Sequence, residues 1–222
     1  MTLAEAGRRG RVIAALLLAA AVVTLGVACS SSSPAKPTAT ATRPPAPTAF
    51  PEPTLVADVV TSPLKGYTAT VPVDFHLRPN IATDSGARFP TDAFFGPAST
   101  GTVQPSISLT CYATVAGKTL ENYRDDWATF IGAFSSTNIV TTETTVSGLR
   151  AFVFTYDQTL HGQADSATPV TTNDAVQKQD YIVVQDDCRW LIAVLTPPGQ
   201  LDTYEPVVTS FLAGLKFSTR LN

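Results

Sequence analysis

From Lys118 to Phe134 the apolar residues recur at three- and four-residue steps: Leu120, Tyr123, Trp127, Phe130, Ile131 and Phe134. Glu121, Arg124, Asp125 and Thr129 face away. This is the period of an amphipathic helix, and it predicts the whole stripe on the buried side. Thr119 suits the N-cap, and Glu121 suits the positive end of the helix dipole. A second stripe, Tyr204, Val207, Val208, Phe211, Leu212 and Leu215, predicts a closing helix over roughly 202–216, with Pro206 tolerated in its first turn.

Elsewhere the period is two. YTATVPV at 67–73 places Tyr67, Ala69, Val71 and Val73 on one face, and Pro72 puts its end at a sheet edge. SISLTCYATV at 106–115 aligns Ile107, Leu109 and Cys111. Residues 77–105, rich in Pro, Gly, Asp and Thr, read as an extended loop or a poorly formed hairpin. IVTTETTV, a turn at Ser147-Gly148 and LRAFVFTYD predict one hairpin. QKQDYIVVQ, a turn at Asp186-Asp187 and CRWLIAVLT predict a second, stopped by Pro197 to Gly199. Residues 158–174 between them read as a polar loop. The strands 149–157 and 188–196 are apolar on both faces, which requires cover on both sides. Hairpins imply an antiparallel sheet, so the expected class is α+β, a three-layer sandwich with the sheet flanked by helices.

The N-terminus has a different logic. Arg8, Arg9 and Arg11 precede the apolar run from Val12, which closes on LGVAC at Leu25 to Cys29. Basic residues, then an apolar stretch, then small residues is the layout of a secretory signal. Its ending resembles the lipobox of bacterial lipoproteins, with Ala28 as the small residue and Gly26 where a large aliphatic is usual. That resemblance implies cleavage after residue 28 and a diacylglycerol on the Cys29 thiol. The competing readings are an uncleaved anchor, since the 18 residues from Val12 to Cys29 just reach spanning length, and cleavage with release. Residues 29–55 are rich in Ser, Thr, Pro and Ala and have little to bury, so they read as a disordered tether. At about 3 Å per residue it could hold a domain roughly 70 Å from the membrane. The folded domain is expected over 56–222.

Charge narrows the partners. From Val56 onward 10 Lys and Arg stand against 16 Asp and Glu, a net −6, which argues against nucleic acid, because phosphate binding needs a basic face. The expected partners are the membrane, through the lipid anchor, and an envelope protein or a small apolar ligand. No catalytic or metal motif emerges from the spacing. His76 and His161 are 85 residues apart and share no zinc spacing with a cysteine. Asp125 and Asp126 are adjacent on a helix and point about 100° apart. Asp186 and Asp187 suit a turn. Asp165, Asn173 and Asp174 could gather oxygen ligands but lack the EF-hand spacing. No catalytic residue, metal or cofactor is therefore assigned. Once Cys29 is set aside, Cys111 and Cys188 remain, either as a disulfide closing a 77-residue loop or as two separately buried thiols.

A family resemblance joins these features. The strand opening on Tyr67 with Pro72 five residues on, the amphipathic helix, and the closing run CRWLIAVLTPPGQLDTYEPVVTSFLAGLKF resemble the PsbP-like fold. That family includes the photosystem II protein PsbP and bacterial lipoproteins of the LpqN type. The resemblance implies a non-catalytic extracytoplasmic binding or accessory domain on the outer face of the cell membrane. The alternative is an envelope hydrolase whose site forms only in the folded chain.

Overall fold

The computed structural model describes residues 50–82, 86–98, 103–160 and 174–218. Two short strands open it, β1 (Thr54–Val56) and β2 (Val59–Ser62), followed by β3 (Tyr67–Thr70), β4 (His76–Ile81), β5 (Thr91–Phe95) and β6 (Ser106–Ala113). Helix α1 (Leu120–Ala133) leads into β7 (Thr137–Val146), β8 (Leu149–Leu160), β9 (Asp174–Gln185) and β10 (Cys188–Thr196). Helix α2 (Leu201–Gly214) and β11 (Lys216–Phe217) close the described chain. The strands form two sheets, one of order β1-β2-β3-β11 and one of order β4-β5-β6-β10-β9-β8-β7. All their pairings are antiparallel, so the fold is α+β, built of antiparallel sheets with two helices.

The alternation along β8 and β10 sorts the core into two clusters. Phe152, Phe154 and Tyr156 of β8 join Ile182 and Leu191 beneath Tyr123, Trp127 and Ile131 of α1. The intervening residues Ala151 and Val153, with Trp190, Ile192 and Val194, join Val60, Tyr67 and Ala69 of the small sheet, Val208 and Phe211 of α2, and Leu215 at its C-cap. Strands apolar on both faces are therefore covered on both, as their sequence requires. Aromatic contacts bridge the elements of this second cluster: Tyr67 meets Trp190 edge-on at 5.8 Å, and Phe94 meets Phe211 at 5.1 Å.

Both helix starts are informative. Thr119 caps α1, its side chain accepting from the Asn122 backbone N–H while the Asn122 side chain accepts from the Thr119 N–H. That capping box satisfies two donors the helix itself cannot. Helix α2 lacks a side-chain cap at Gln200. Pro206 lies past its first turn, so the Asp202 carbonyl loses its intrahelical donor.

Several expectations need correcting. Of the two readings of residues 77–105, the irregular hairpin holds and the extended loop does not: β4 and β5 pair there, with the register broken between Arg78 and Ile81. Asp92 and Pro79 interrupt the apolar pattern that would have marked these strands. The antiparallel sheet is two sheets, because the short β1, β2 and β3 pair with β11 and not with the long hairpins. β3 ends at Thr70, and Val73 is 85% exposed where alternation placed it inward. The polar stretch after Asp157 is partly strand, with Gln158 opposite Val176 and Leu160 opposite Asp174. On α1, Tyr123, Trp127 and Ile131 are buried, but Phe130 and Phe134 are not.

Candidate functional site

The residues singled out from the sequence scatter. Cys29, the signal segment, His161, Asp165 and Asn173 lie outside the described residues. His76 is exposed on β4, its ring stacked on Phe95 at 5.8 Å. Asp125 pairs with its neighbour Arg124 at 2.7 Å, and Asp126 pairs with Lys118. Asp186 turns the chain between β9 and β10 with φ of 53°, and Asp187 pairs with Arg88 of the segment before β5. Each of these acids thus has a local role, and they do not converge. Cys111 of β6 and Cys188 of β10 are joined as a disulfide, their Cα atoms 5.5 Å apart. Both face the cluster around Tyr67 and Trp190.

Two buried polar clusters escaped the sequence reading. In the first, Lys65, in the turn before β3, is 2% exposed and donates to Asp92 Oδ1 at 2.6 Å and to Asn80 Oδ1 at 2.9 Å. Tyr67 Oη donates to Asp92 Oδ2 at 2.5 Å, and the Asn80 N–H donates to Asp92 Oδ1 at 2.9 Å. Burial lowers the Lys65 pKa, against the pull of Asp92. Burial and then the Asp92 charge raise that of Tyr67. Phe50 lies over the ammonium at 5.3 Å, and its carbonyl accepts from Asn80 Nδ2 at 3.0 Å. In the second cluster, Asp180 of β9 accepts from Tyr156 Oη at 2.6 Å and from Trp127 Nε1 at 3.2 Å, wholly out of solvent. A period-two reading would have flagged both acids: Asp92 sits two residues before Phe94, and Asp180 two before Ile182, each on an apolar face. Both clusters tie neighbouring elements together, although Asp180 Oδ1, unlike Oδ2, is buried without a hydrogen-bond partner.

The exposed face of α1 has another character. Trp127 stacks on Phe130 at 4.8 Å, and Phe130 meets Phe134 at 4.7 Å with the rings tilted. Trp127 is anchored inside, while Phe130 and Phe134 are 46% and 51% exposed. Ile139 and Val140 of the next strand are exposed as well. At the other end of the helix Arg150 of β8 donates to both carboxylate oxygens of Glu143, at 2.6 and 2.8 Å, and also to Glu121. Arg150 holds the Glu121 carboxyl down at about 2 and lowers that of Glu143. Arg189 spreads its guanidinium over Tyr112 at 4.5 Å, Tyr123 at 5.3 Å and Trp127 at 6.0 Å, and desolvation lowers its pKa. A cleft between α2 and the ends of β6 and β10, lined by Phe75, Ile107, Val194 and Tyr204 among others, is too narrow for a water molecule. Among the described residues no helix is long and apolar enough to cross a membrane.

No family model and no curated protein matches the chain. Solved structures do. The chain is similar to LpqN of Mycobacterium tuberculosis, a protein involved in cell envelope biogenesis, at 10% identity and a TM-score of 0.48 over 69% of this chain and 83% of that one. It is similar to the cyanobacterial PsbP (CyanoP) of Synechocystis sp. PCC 6803 at 12% identity and a TM-score of 0.47, over 69% and 87%. A Pseudomonas aeruginosa protein of unknown function, PA94, shows 12% identity and a TM-score of 0.45 over 61% and 91%. Likenesses of this degree leave function to be argued from the residues.

Proposed function

We propose that the chain is a lipid-anchored, extracytoplasmic lipoprotein whose PsbP-like domain, a three-layer sandwich, is a non-catalytic binding or accessory module of the cell envelope. The observation that carries the binding reading is the aromatic ladder on α1. Two phenylalanines, in ring contact outward from a buried tryptophan, present apolar surface to solvent, and Ile139 and Val140 of the next strand are exposed as well. Such anchors are what protein partners or apolar ligands cover, because large rings give contact area at little cost in side-chain entropy. The narrow cleft beside α2 would have to open before admitting a ligand, which favours a protein partner on the α1 face. The anchor rests on Arg8 to Cys29 and the Ser/Thr/Pro/Ala-rich stretch after it, which together would place this face outside the membrane.

The test is crosslinking and pull-down from intact membranes, comparing the native chain with the double variant Phe130→Ser/Phe134→Ser. Recovery of a reproducible envelope partner that the double variant loses by tenfold or more is the expected result. Equal recovery by both chains, or none by either, overturns the binding reading of this face.

A further inference from the structure

The two edges of the seven-stranded sheet differ. β4 is guarded: Pro79 has no N–H to offer, the register breaks between Arg78 and Ile81, and Asn80 adopts φ of 55°. β7 has its bulge only at the start, between Thr137 and Val140. From Val140 to Val146 it pairs continuously with β8, without proline or lysine, and its outer edge carries no strand among the described residues. An unguarded edge of this length is a template for another strand.

What fills it is written in its sequence. Val140 to Val146 reads Val-Thr-Thr-Glu-Thr-Thr-Val, the same in both directions about Glu143. An antiparallel partner related by a twofold axis presents a strand running the other way, so a palindromic strand meets its own pattern. The turn fixes which backbone groups are free. Ser147 and Gly148 have φ of 54° and 76°, a type I′ two-residue turn, which makes Val146 and Leu149 a hydrogen-bonded pair. Alternation from there points the N–H and C=O groups of Thr141, Glu143 and Thr145 away from β8. We infer that β7 pairs with β7 of a second copy about Glu143, joining the two large sheets into one. Thr141 then exchanges hydrogen bonds with Thr145 of the second copy, and Glu143 with Glu143. Thr142 faces Thr144, and the exposed Val140 comes opposite Val146 of the second copy, whose side chain is buried in that copy's own core. The two carboxylates at the axis do not meet bare, because each is already held at both oxygens by its own Arg150. The chain's own tether is unsuited to this edge: seven prolines between Pro34 and Pro53 remove ladder donors.

The test uses the full chain in its native membranes, with Thr142→Cys and Thr144→Cys made singly and then co-expressed. An axis through Glu143 sets residue 142 against residue 144 of the other copy. Co-expression should therefore give a disulfide-linked dimer band at least about fivefold stronger than either variant alone. Adding Thr141→Pro, which removes an outward-facing N–H that the ladder to β8 does not use, should abolish that band while leaving the chain folded. A mixed band no stronger than that of the parent chain overturns the inference. So does self-crosslinking of Thr142→Cys alone, which moves the axis, and so does a crosslink to a different protein. The inference does not rest on the partner of the α1 face, since the Phe130→Ser/Phe134→Ser chain should keep the mixed band even if pull-down fails.

Discussion

Lys65 and Asp92, 27 residues apart, meet at 2.6 Å with 2% and 0% of their side chains exposed. One lies in the turn that opens β3 of the small sheet, the other in β5 of the large one. The pair therefore holds the two sheets in register. Removing one member leaves a buried charge without its counter-ion, which costs about 3–5 kcal/mol, whereas replacing both by apolar groups can be neutral. Asp92→Ala should lower stability by that amount, since it also strands Tyr67 Oη. Lys65→Met/Asp92→Leu should recover at least half of the loss. Urea denaturation of the three chains checks this, and a double variant as unstable as Asp92→Ala refutes it.

This cluster also marks where the sequence stopped being legible. The long elements were readable because their patterns persist: nine to twelve residues each in β7 to β10, and about four turns of stripe in α1. Short strands give no such run. β1, β2 and β11 have between two and four residues each, and only partners distant in the chain define them. β5 reads Thr-Asp-Ala-Phe-Phe and is buried throughout, so its acid looked like a loop residue when it is the centre of a core network. In α1 the period predicted that Phe130 and Phe134 would be buried with Trp127. A stripe six residues wide exceeds what one sheet face can cover, and its outer edge remains in water. That surplus is the candidate binding surface.

The bond between Cys111 and Cys188 ties β6 to β10 in the middle of the large sheet and closes a loop of 77 residues. The chain-entropy account assigns such a closure about 4–5 kcal/mol, drawn from the unfolded state. Native protein should show no alkylation at either cysteine before reduction and a gain of two groups after it. Cys111→Ala/Cys188→Ala should lose roughly 2–5 kcal/mol in denaturant unfolding. Alkylation of both thiols without reductant would show that they are merely neighbours.

Three phenols should resist alkaline titration. Burial first, and the adjacent Asp92 or Asp180 second, push Tyr67 and Tyr156 well above the ordinary value of 10. Burial, then Glu205, pushes Tyr181 up to about 12. A folded pKa above the unfolded one means that the stabilisation is fully present below about pH 10 and is lost as pH rises through the folded values. Phenolate absorbance at about pH 11 should rise by three tyrosines' worth when denaturant is added, and stability should fall steeply above about pH 10. Full ionisation of all 6 tyrosines in the folded chain would contradict the burial of these hydroxyls.

The anchor makes the sharpest prediction, because lipid changes mass. If Cys29 carries a diacylglycerol, the protein extracted from membranes should have the mass of residues 29–222 plus that lipid group. Each acyl methylene buried in the bilayer contributes about 0.8 kcal/mol, so two or three chains hold a domain without any spanning helix. Cys29→Ala removes the only atom that can take the thioether. It should yield a chain with no lipid mass that still carries residues 1–28, because cleavage of this class of signal follows lipidation. An unlipidated native chain beginning at Met1 would instead mean that the apolar run from Val12 is itself the anchor. The lipoprotein assignment would then be wrong.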